Sequence, residues 1–355
     1  MKTIYINTII YILIVSTSCS NRDEFNNFSL IDASLVKEEG KLISDFSDST
    51  LIIPLETQKN SLLSWITNLK LVKDKIYISD INNVLIFDLN GNFLSSLGSK
   101  GDGPGEHGTI YSMAFDENLS IFYVASENKL ISFDLNNNFL REKKFPFLLQ
   151  YIEVIDGEVV LISDNLFNNP DGGFIESTVL YKLDSNFEIY KKIELLSKNI
   201  NKKIIGGFPI KQYISTTDEG TFIYKPVFTT ENFNRDTLFL LQNDGIIPFK
   251  RLGLDFSTKL DERGFKTSTI LNINRSKDYI TSEYRLEYDK KFLLYEIKKH
   301  KYHIMKGGII DEVGDTVVLR PLNLKKNIFY YIKQENFTST EYEEMNPLIG
   351  IVKLK

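Results

Sequence analysis

Few residues in this chain are equipped for acid–base or metal chemistry: histidine occurs three times and cysteine once in 355 residues. Glu106 and His107 stand side by side, and a carboxylate beside an imidazole is a pairing that proton transfer uses. Adjacent residues of an extended chain point to opposite sides, however, and no third partner follows them. Asp80, with Asn82 and Asn83, and Asp164 fall at expected strand ends. Their oxygens are the donors calcium takes, and they are also the side chains that turns select. His300 and His303 have a spacing that shares one face of a helix but opposite faces of a strand, so on a strand the two rings cannot hold one metal. Gly103 to Gly108 matches the spacing of a dinucleotide loop, which needs a parallel strand before it and a helix after it. Here the stretch joins two β-rich segments, where glycines serve a chain that must turn sharply. No Gly-x-Ser-x-Gly elbow is present. The expectation is no catalytic constellation and no cofactor, with calcium the one metal the donors would suit. Asp80, Glu106, His107 and Asp164 are the candidate rim or funnel residues.

The elements that must position them announce themselves by repetition. Ile76-Tyr77-Ile78-Ser79 followed by Leu85 to Leu94 returns, without a gap, as Phe122-Tyr123-Val124-Ala125 followed by Ile131 to Leu140. A repeat of this length built from short β-branched and aromatic runs is the signature of a propeller blade, which stacks on its neighbours to bury its faces. The Asn-Phe pair that opens the last strand of each copy serves as a ruler through Asn92, Asn138, Asn186, a diverged Gly245, Tyr302 and Asn336. The intervals average about 49 residues, which fits six four-stranded blades. The middle residue of each Asn-rich turn must tolerate positive φ, which explains why Gly91 is matched by Asn137.

A ring of sheets closes only if its first and last blades are joined. The run Leu51 to Glu56 precedes the first complete blade and is expected to lend a strand to the last one, beside strands near Gly308 to Asp311, Thr316 to Arg320 and Ile328 to Lys333. Pro54 suits an outer edge, where a missing amide costs no ladder bond. The expected fold is therefore all-β: a six-bladed β-propeller of four-stranded antiparallel blades over residues 29–355, closed by an N-terminal strand in the last blade. A helical turn near Lys41 to Phe46 is the only helix expected.

The chain opens with Lys2, an apolar stretch from Ile4 to Val15, then Ser16-Thr17-Ser18-Cys19. Twelve mostly apolar residues are too few to span a bilayer and suit a secretory leader. The single cysteine directly after small residues has the placement of a lipobox. Acylation would remove an otherwise unpaired exported thiol and hold the protein on a membrane without a transmembrane helix. The expected organisation is a leader at 1–18, a lipidated Cys19 and a polar tether at 19–28. The net charge of −5 supports solubility and argues against nucleic acid, whose phosphates call for a basic stripe.

Leu51-Ile52-Ile53-Pro54-Leu55-Glu56-Thr57, Phe87 to Leu94 and above all Leu97-Gly98-Ser99-Lys100-Gly101-Asp102-Gly103-Pro104-Gly105-Glu106 resemble the six-bladed β-propeller lipoproteins of Bacteroidota. More distantly they resemble NHL-repeat propellers. Tyr224-Lys225-Pro226 followed by Asp236 to Phe239 is similar to a mid-chain feature of that lipoprotein family. The resemblance implies a propeller at the outer membrane, periplasmic or surface-facing, and carries no catalytic residues. Two functions are compatible with these readings. One is a lipid-anchored module that binds or scaffolds a glycan, peptide or protein partner on its rim loops. The other is a metal-assisted hydrolase or lactonase at the central pore.

Overall fold

Ile76, Tyr77, Ile78 and Ser79 are all buried, as are Val84 to Phe87. A strand apolar on both faces is one sandwiched between two layers, and that is the position these runs occupy. The computed structural model describes residues 29–33, 37–201, 210–229, 231, 233–254, 259–334 and 345–355. In it, six antiparallel sheets succeed one another around an axis, with the first strand of each blade innermost.

Blade 1 comprises Asn68–Val72, Lys75–Ser79, Val84–Asp88 and Phe93–Ser96; blade 2 comprises Ile110–Asp116, Ile121–Ser126, Lys129–Asp134 and Phe139–Lys144. The sequence repeat reappears as repeated geometry. The register slips between Ile86 and Phe87 in one copy and between Ser132 and Phe133 in the other. Phe87 meets Phe93 edge-on at 5.8 Å and Phe133 meets Phe139 at 6.4 Å. Asp88 accepts from the amides of Asn90 and Asn92, and Asp134 from those of Asn136 and Asn138, all at 2.8 Å. Asp184, Asp261 and Asp311 organise later turns in the same way. Between the copies, Tyr77 packs on Phe122 with ring centroids 3.9 Å apart.

Blade 3 departs from this size. After Tyr151–Ile155, its strands Glu158–Asn168, Phe174–Leu183 and Ile189–Ile200 run 11, 10 and 12 residues, against four to six for their counterparts in blades 1 and 2. Blade 4 is Ile214–Thr217, Gly220–Ile223, Thr237–Leu241 and Ile246–Gly253. Blade 5 has an interrupted inner strand, Thr269–Ile270 and Asn274–Arg275, then Tyr279–Leu286, Asp289–Glu296 and Lys301–Lys306.

The last blade is assembled as expected in its outer part and differently within. Ser47–Pro54 pairs antiparallel with Leu348–Leu354, so the early strand does close the ring as its outermost member. The inner strands are Arg320–Asn323 and Ile328–Lys333. The segments expected to supply further strands, near Gly308 to Asp311 and Thr316 to Arg320, instead form a separate two-stranded ribbon, Ile309–Ile310 with Thr316–Val317. Its hairpin bends at the Asp311 turn and leaves pairs too short for a blade. Asn336-Phe337 lies outside the described residues, as do the leader, Cys19 and the tether.

The segment before the closing strand contributes more than its sequence suggested. Ser29–Asp32 lies parallel on the outer strand of blade 4, and Glu38 bridges Ile304 on the outer strand of blade 5. Ile310 then donates to the carbonyl of Lys41 at 2.8 Å, and a helical turn at Ile43–Phe46 leads into Ser47–Pro54. One strap thus covers the edges of three successive blades, sparing them exposed amides and carbonyls.

Closure is secured at two further points. Gly91 of blade 1 has φ +86°, and a Cβ there would stand 1.9 Å from the Pro54 carbonyl oxygen. Asn346 accepts from Leu63 N at 2.8 Å and donates through Nδ2 to the carbonyls of Glu56 and Ser61 at 2.7 Å each. Ile53 packs inward at 1% exposure with Ile76, Phe87 and Ile349, whereas Ile52 is 42% exposed. Chemical denaturation should show Ile53→Ala losing about 2–4 kcal/mol and Ile52→Ala less than about 1 kcal/mol. Gly91→Asn should destabilise although Asn occupies the matching position 137; equal stability would show that Pro54 does not press on this turn.

Candidate functional site

The entries to the first strands, the turns between second and third strands and the exits of the fourth strands share one face of the ring. Asp80, Glu106, His107 and Asp164 all belong to this face; the Asp80 turn lies beside the segment that follows His107, Ile110 N donating to Ile81 O at 3.0 Å, whereas Asp164 stands on the hairpin of blade 3. Asp80 is buried and engaged both by its own turn and by Ser64 of the loop before blade 1. It accepts from Asn82 N at 2.7 Å, Asn83 N at 2.6 Å, and Ser64 N and Oγ at 3.0 and 2.9 Å. Glu106 folds back on the glycine linker and accepts from Gly103 N at 2.8 Å. His107 is buried at 1% exposure, its Nδ1 3.3 Å from the Gly108 carbonyl, and burial lowers its pKa. Glu106 and His107 thus organise the link between blades 1 and 2.

His300 sits in the turn at φ +50° and not on a strand, within 3.0 Å of the Tyr295 hydroxyl. His303, on the outer strand of blade 5, lies between Glu39 of the strap and Glu296. The two rings serve separate contacts. Among the described residues, no three His, Cys, Asp or Glu side chains are grouped to hold a metal ion. In the funnel, Lys70 of blade 1 donates to Glu153 of blade 3 at 2.9 Å, an ion pair linking the inner strands of two non-adjacent blades.

Asp164 occupies a different setting. It lies on the long hairpin of blade 3, where cross-strand pairs align Asp164 with Thr178, Thr178 with Leu196, and Glu176 with both Leu166 and Lys198. Because side chains alternate along a strand, Asp164, Glu176, Thr178 and Lys198 share one face of this extension. That face borders a pocket of about 150 Å³ completed by Tyr111 and Gln150 on one side and by Lys211, Tyr213 and Lys225 to Thr229 on the other. The wider concavity of about 700 Å³ over Gln242 to Ile247 is formed by a single exposed hairpin on the rim and has no converging chemistry.

Charges in the smaller pocket are arranged unevenly. Lys225 Nζ is 2.9 Å from the Asp164 carboxylate, and Thr178 donates to the same group. Burial opposes ionisation of Asp164, but Lys225, Thr178 and Gln150 outweigh it and hold the carboxyl below its ordinary value. Lys198 pairs with Glu176 at 3.4 Å. Lys211 instead donates to the Gln150 carbonyl at 3.0 Å and lies 4.7 Å from the Tyr111 ring centroid. Burial, reinforced by repulsion from Lys225, pulls its amine down to about 8. The Tyr213 hydroxyl is raised by burial and by Asp164, so it remains a neutral donor.

Of this constellation, sequence reasoning singled out Asp164 and noted Tyr224-Lys225-Pro226 only as a resemblance. Lys211, Tyr111, Gln150, Glu176 and Lys198 were missed. One signal was available: the polar runs Ser163 to Asn165, Glu176 to Thr178 and Ser197 to Asn199 fall within blade 3 strands that extend past the length of their counterparts in blades 1 and 2.

Residues 27–353 match the family described as "Domain of unknown function (DUF4934)". The chain belongs to this family. A search of curated proteins gave no match to this DUF4934 chain. Among solved structures it is similar to a Bacteroides fragilis protein provisionally described as exported, with TM-score 0.64 and 16% identity over 92% of this chain and 100% of that one. A Xanthomonas campestris gluconolactonase gives TM-score 0.48 and 9% identity over 88% and 92% of the two chains. A protein of unknown function from Bacteroides caccae gives 0.40 and 11% over 72% and 80%. The first likeness concerns the fold, and the other two transfer neither site nor activity. No helix among the described residues is long and apolar enough to cross a membrane.

Lys211 yields a pH dependence. The unfolded chain holds the proton with a pKa of about 10.4, the folded chain with one of about 8. Between these values the unfolded state binds more protons, so this residue's contribution makes folding more favourable as pH rises. Lys211→Met should therefore raise the thermal midpoint at pH 7, and the advantage should shrink by pH 10. A pH-independent difference would mean that the amine is not desolvated.

Proposed function

We propose that this DUF4934 chain is an envelope-anchored binding module, tethered through a lipidated Cys19, that receives one end of a ligand in the pocket between blades 2, 3 and 4. The observation that carries the reading is the convergence of Lys211, Tyr111, Asp164 and Lys225 in a concavity on the loop-bearing face. A mainly polar concavity in which charged groups converge beside aromatic rings suits recognition of a polar ligand. The exposed Trp65 and Ile81 of the same face, 59% and 46% accessible, offer further contact area for whatever extends beyond the pocket. The fold likeness to a provisionally exported protein and the lipobox-like Ser16 to Cys19 agree with an address in the envelope. A glycan, a peptide or a protein surface remains the partner class, with no role for nucleic acid. The central-pore hydrolase has less behind it, because the described funnel residues set a lysine against Glu153.

Two measurements test this. Metabolic labelling with an alkyne fatty acid should tag the wild-type protein and not Cys19→Ser; a tag on both, or on neither, removes the anchor from the proposal. Stripping with a calcium chelator should leave the thermal midpoint unchanged, because the binding reading involves no metal. A clear drop that calcium restores would favour a metal-assisted activity.

A further inference from the structure

The pocket contains three ammonium groups and two carboxylates. Asp164 and Glu176 are each matched by one lysine, Lys225 at 2.9 Å and Lys198 at 3.4 Å. Lys211 is left with a backbone carbonyl and an aromatic face, and among the described residues no carboxylate lies within ion-pairing distance of it. A charge drawn from water without an opposite charge is costly, and a ligand that brings one negative charge would offset that cost.

The same lining also limits what else the ligand carries. Asp164 and Glu176 have more oxygen lone pairs than their lysines use, and a carboxylate oxygen can only accept. They would repel a ligand that is solely anionic and would welcome one whose hydroxyls donate. The Tyr111 and Tyr213 rings supply flat apolar walls suited to a ring with one C–H face. About 150 Å³ is well below the roughly 300–1,000 Å³ that encloses a drug-sized ligand. It therefore takes one terminal unit and leaves the remainder outside.

We infer that the pocket binds a uronic acid residue at the end of an acidic glycan, its carboxylate on Lys211 and its hydroxyls on Asp164 and Glu176. This rests on the pocket being the ligand site. An acidic peptide provides the charge without the hydroxyls, and a neutral sugar provides the hydroxyls without the charge.

The test is calorimetric titration of the full chain with three probes: trigalacturonate, the neutral galactose trisaccharide of the same linkage, and triglutamate. Three variants accompany the wild type, each checked for an unchanged circular dichroism spectrum. Lys211→Met removes the charge and Lys211→Arg keeps it. Leu148→Trp places bulk at the pocket lining from a position already 37% exposed. Expected are binding of trigalacturonate to the wild type, a loss of about tenfold or more in Lys211→Met, retention within about threefold in Lys211→Arg, and loss of binding in Leu148→Trp. The neutral trisaccharide should bind about tenfold more weakly and be indifferent to Lys211→Met.

If the neutral trisaccharide binds as tightly as the acidic one and Leu148→Trp abolishes both, the pocket is a glycan site and the uronate inference falls alone. If trigalacturonate binds equally to the wild type, Lys211→Met and Leu148→Trp, the site lies elsewhere and both readings fall. Preference for triglutamate overturns the inference in favour of an acidic peptide, and no binding of any probe at millimolar concentration overturns it outright.

Discussion

The whole ring depends on one lateral pairing, that of Ser47–Pro54 with Leu348–Leu354. No blade can cover its own two faces, and each is stable only between neighbours. An open ring would leave blade 1 bare on one side and blade 6 on the other, exposing apolar rows such as Ile76, Ile78 and Phe87. The closing strand removes both deficits at once. It hydrogen-bonds within blade 6, and through Ile53, Leu55 and the Pro54 contact on Gly91 it packs against blade 1. Asn346 then fixes the chain that leaves it, through contacts to Leu63, Glu56 and Ser61.

A closed ring gives the candidate site its rigidity. The pocket gathers residues from the entry to blade 2, the link between blades 2 and 3, the hairpin of blade 3 and the loops of blade 4, and none of these could hold the others in place without the packed blades beneath them. What distinguishes the pocket from the other polar clusters of the same face is incomplete pairing. Asp80 and Glu106 spend their oxygens on local amides and are structural in consequence. Lys211 has no such full set of local partners.

The architecture was legible in the sequence because a repeat preserves whatever each copy needs in order to fold. The Asp-Asn-Phe spacing of blades 1 and 2 encodes a turn, a register slip and an aromatic pair together, so matching letters carry matching geometry. Blade 6 was harder to trace. Its strands are drawn from both ends of the sequence, and the glycine-flanked Ile309–Ile310 imitates a blade strand without the length to be one. The strap, residues 29–33 and 37–42, was invisible for a related reason: parallel edge pairing and isolated bridges leave no periodic trace. The site was least legible of all. Lys211, Tyr111 and Glu176 are far apart in sequence and ordinary in composition, and only the lengthened hairpin of blade 3 brings them together. Asp164 stood out because it closes an apolar run, a signal shared with every turn-forming aspartate.

The distance between the two halves of the clasp also governs how the protein can be made. Asp48 and Lys353, ion-paired at 2.7 Å, are 305 residues apart in sequence. A chain under synthesis presents its closing strand long before the complementary one exists. Meanwhile blades 1 to 5 accumulate as a crescent with two sticky flanks, a contact pattern that folds slowly and invites association with other chains. The ring therefore stays open until the last seven-residue strand arrives.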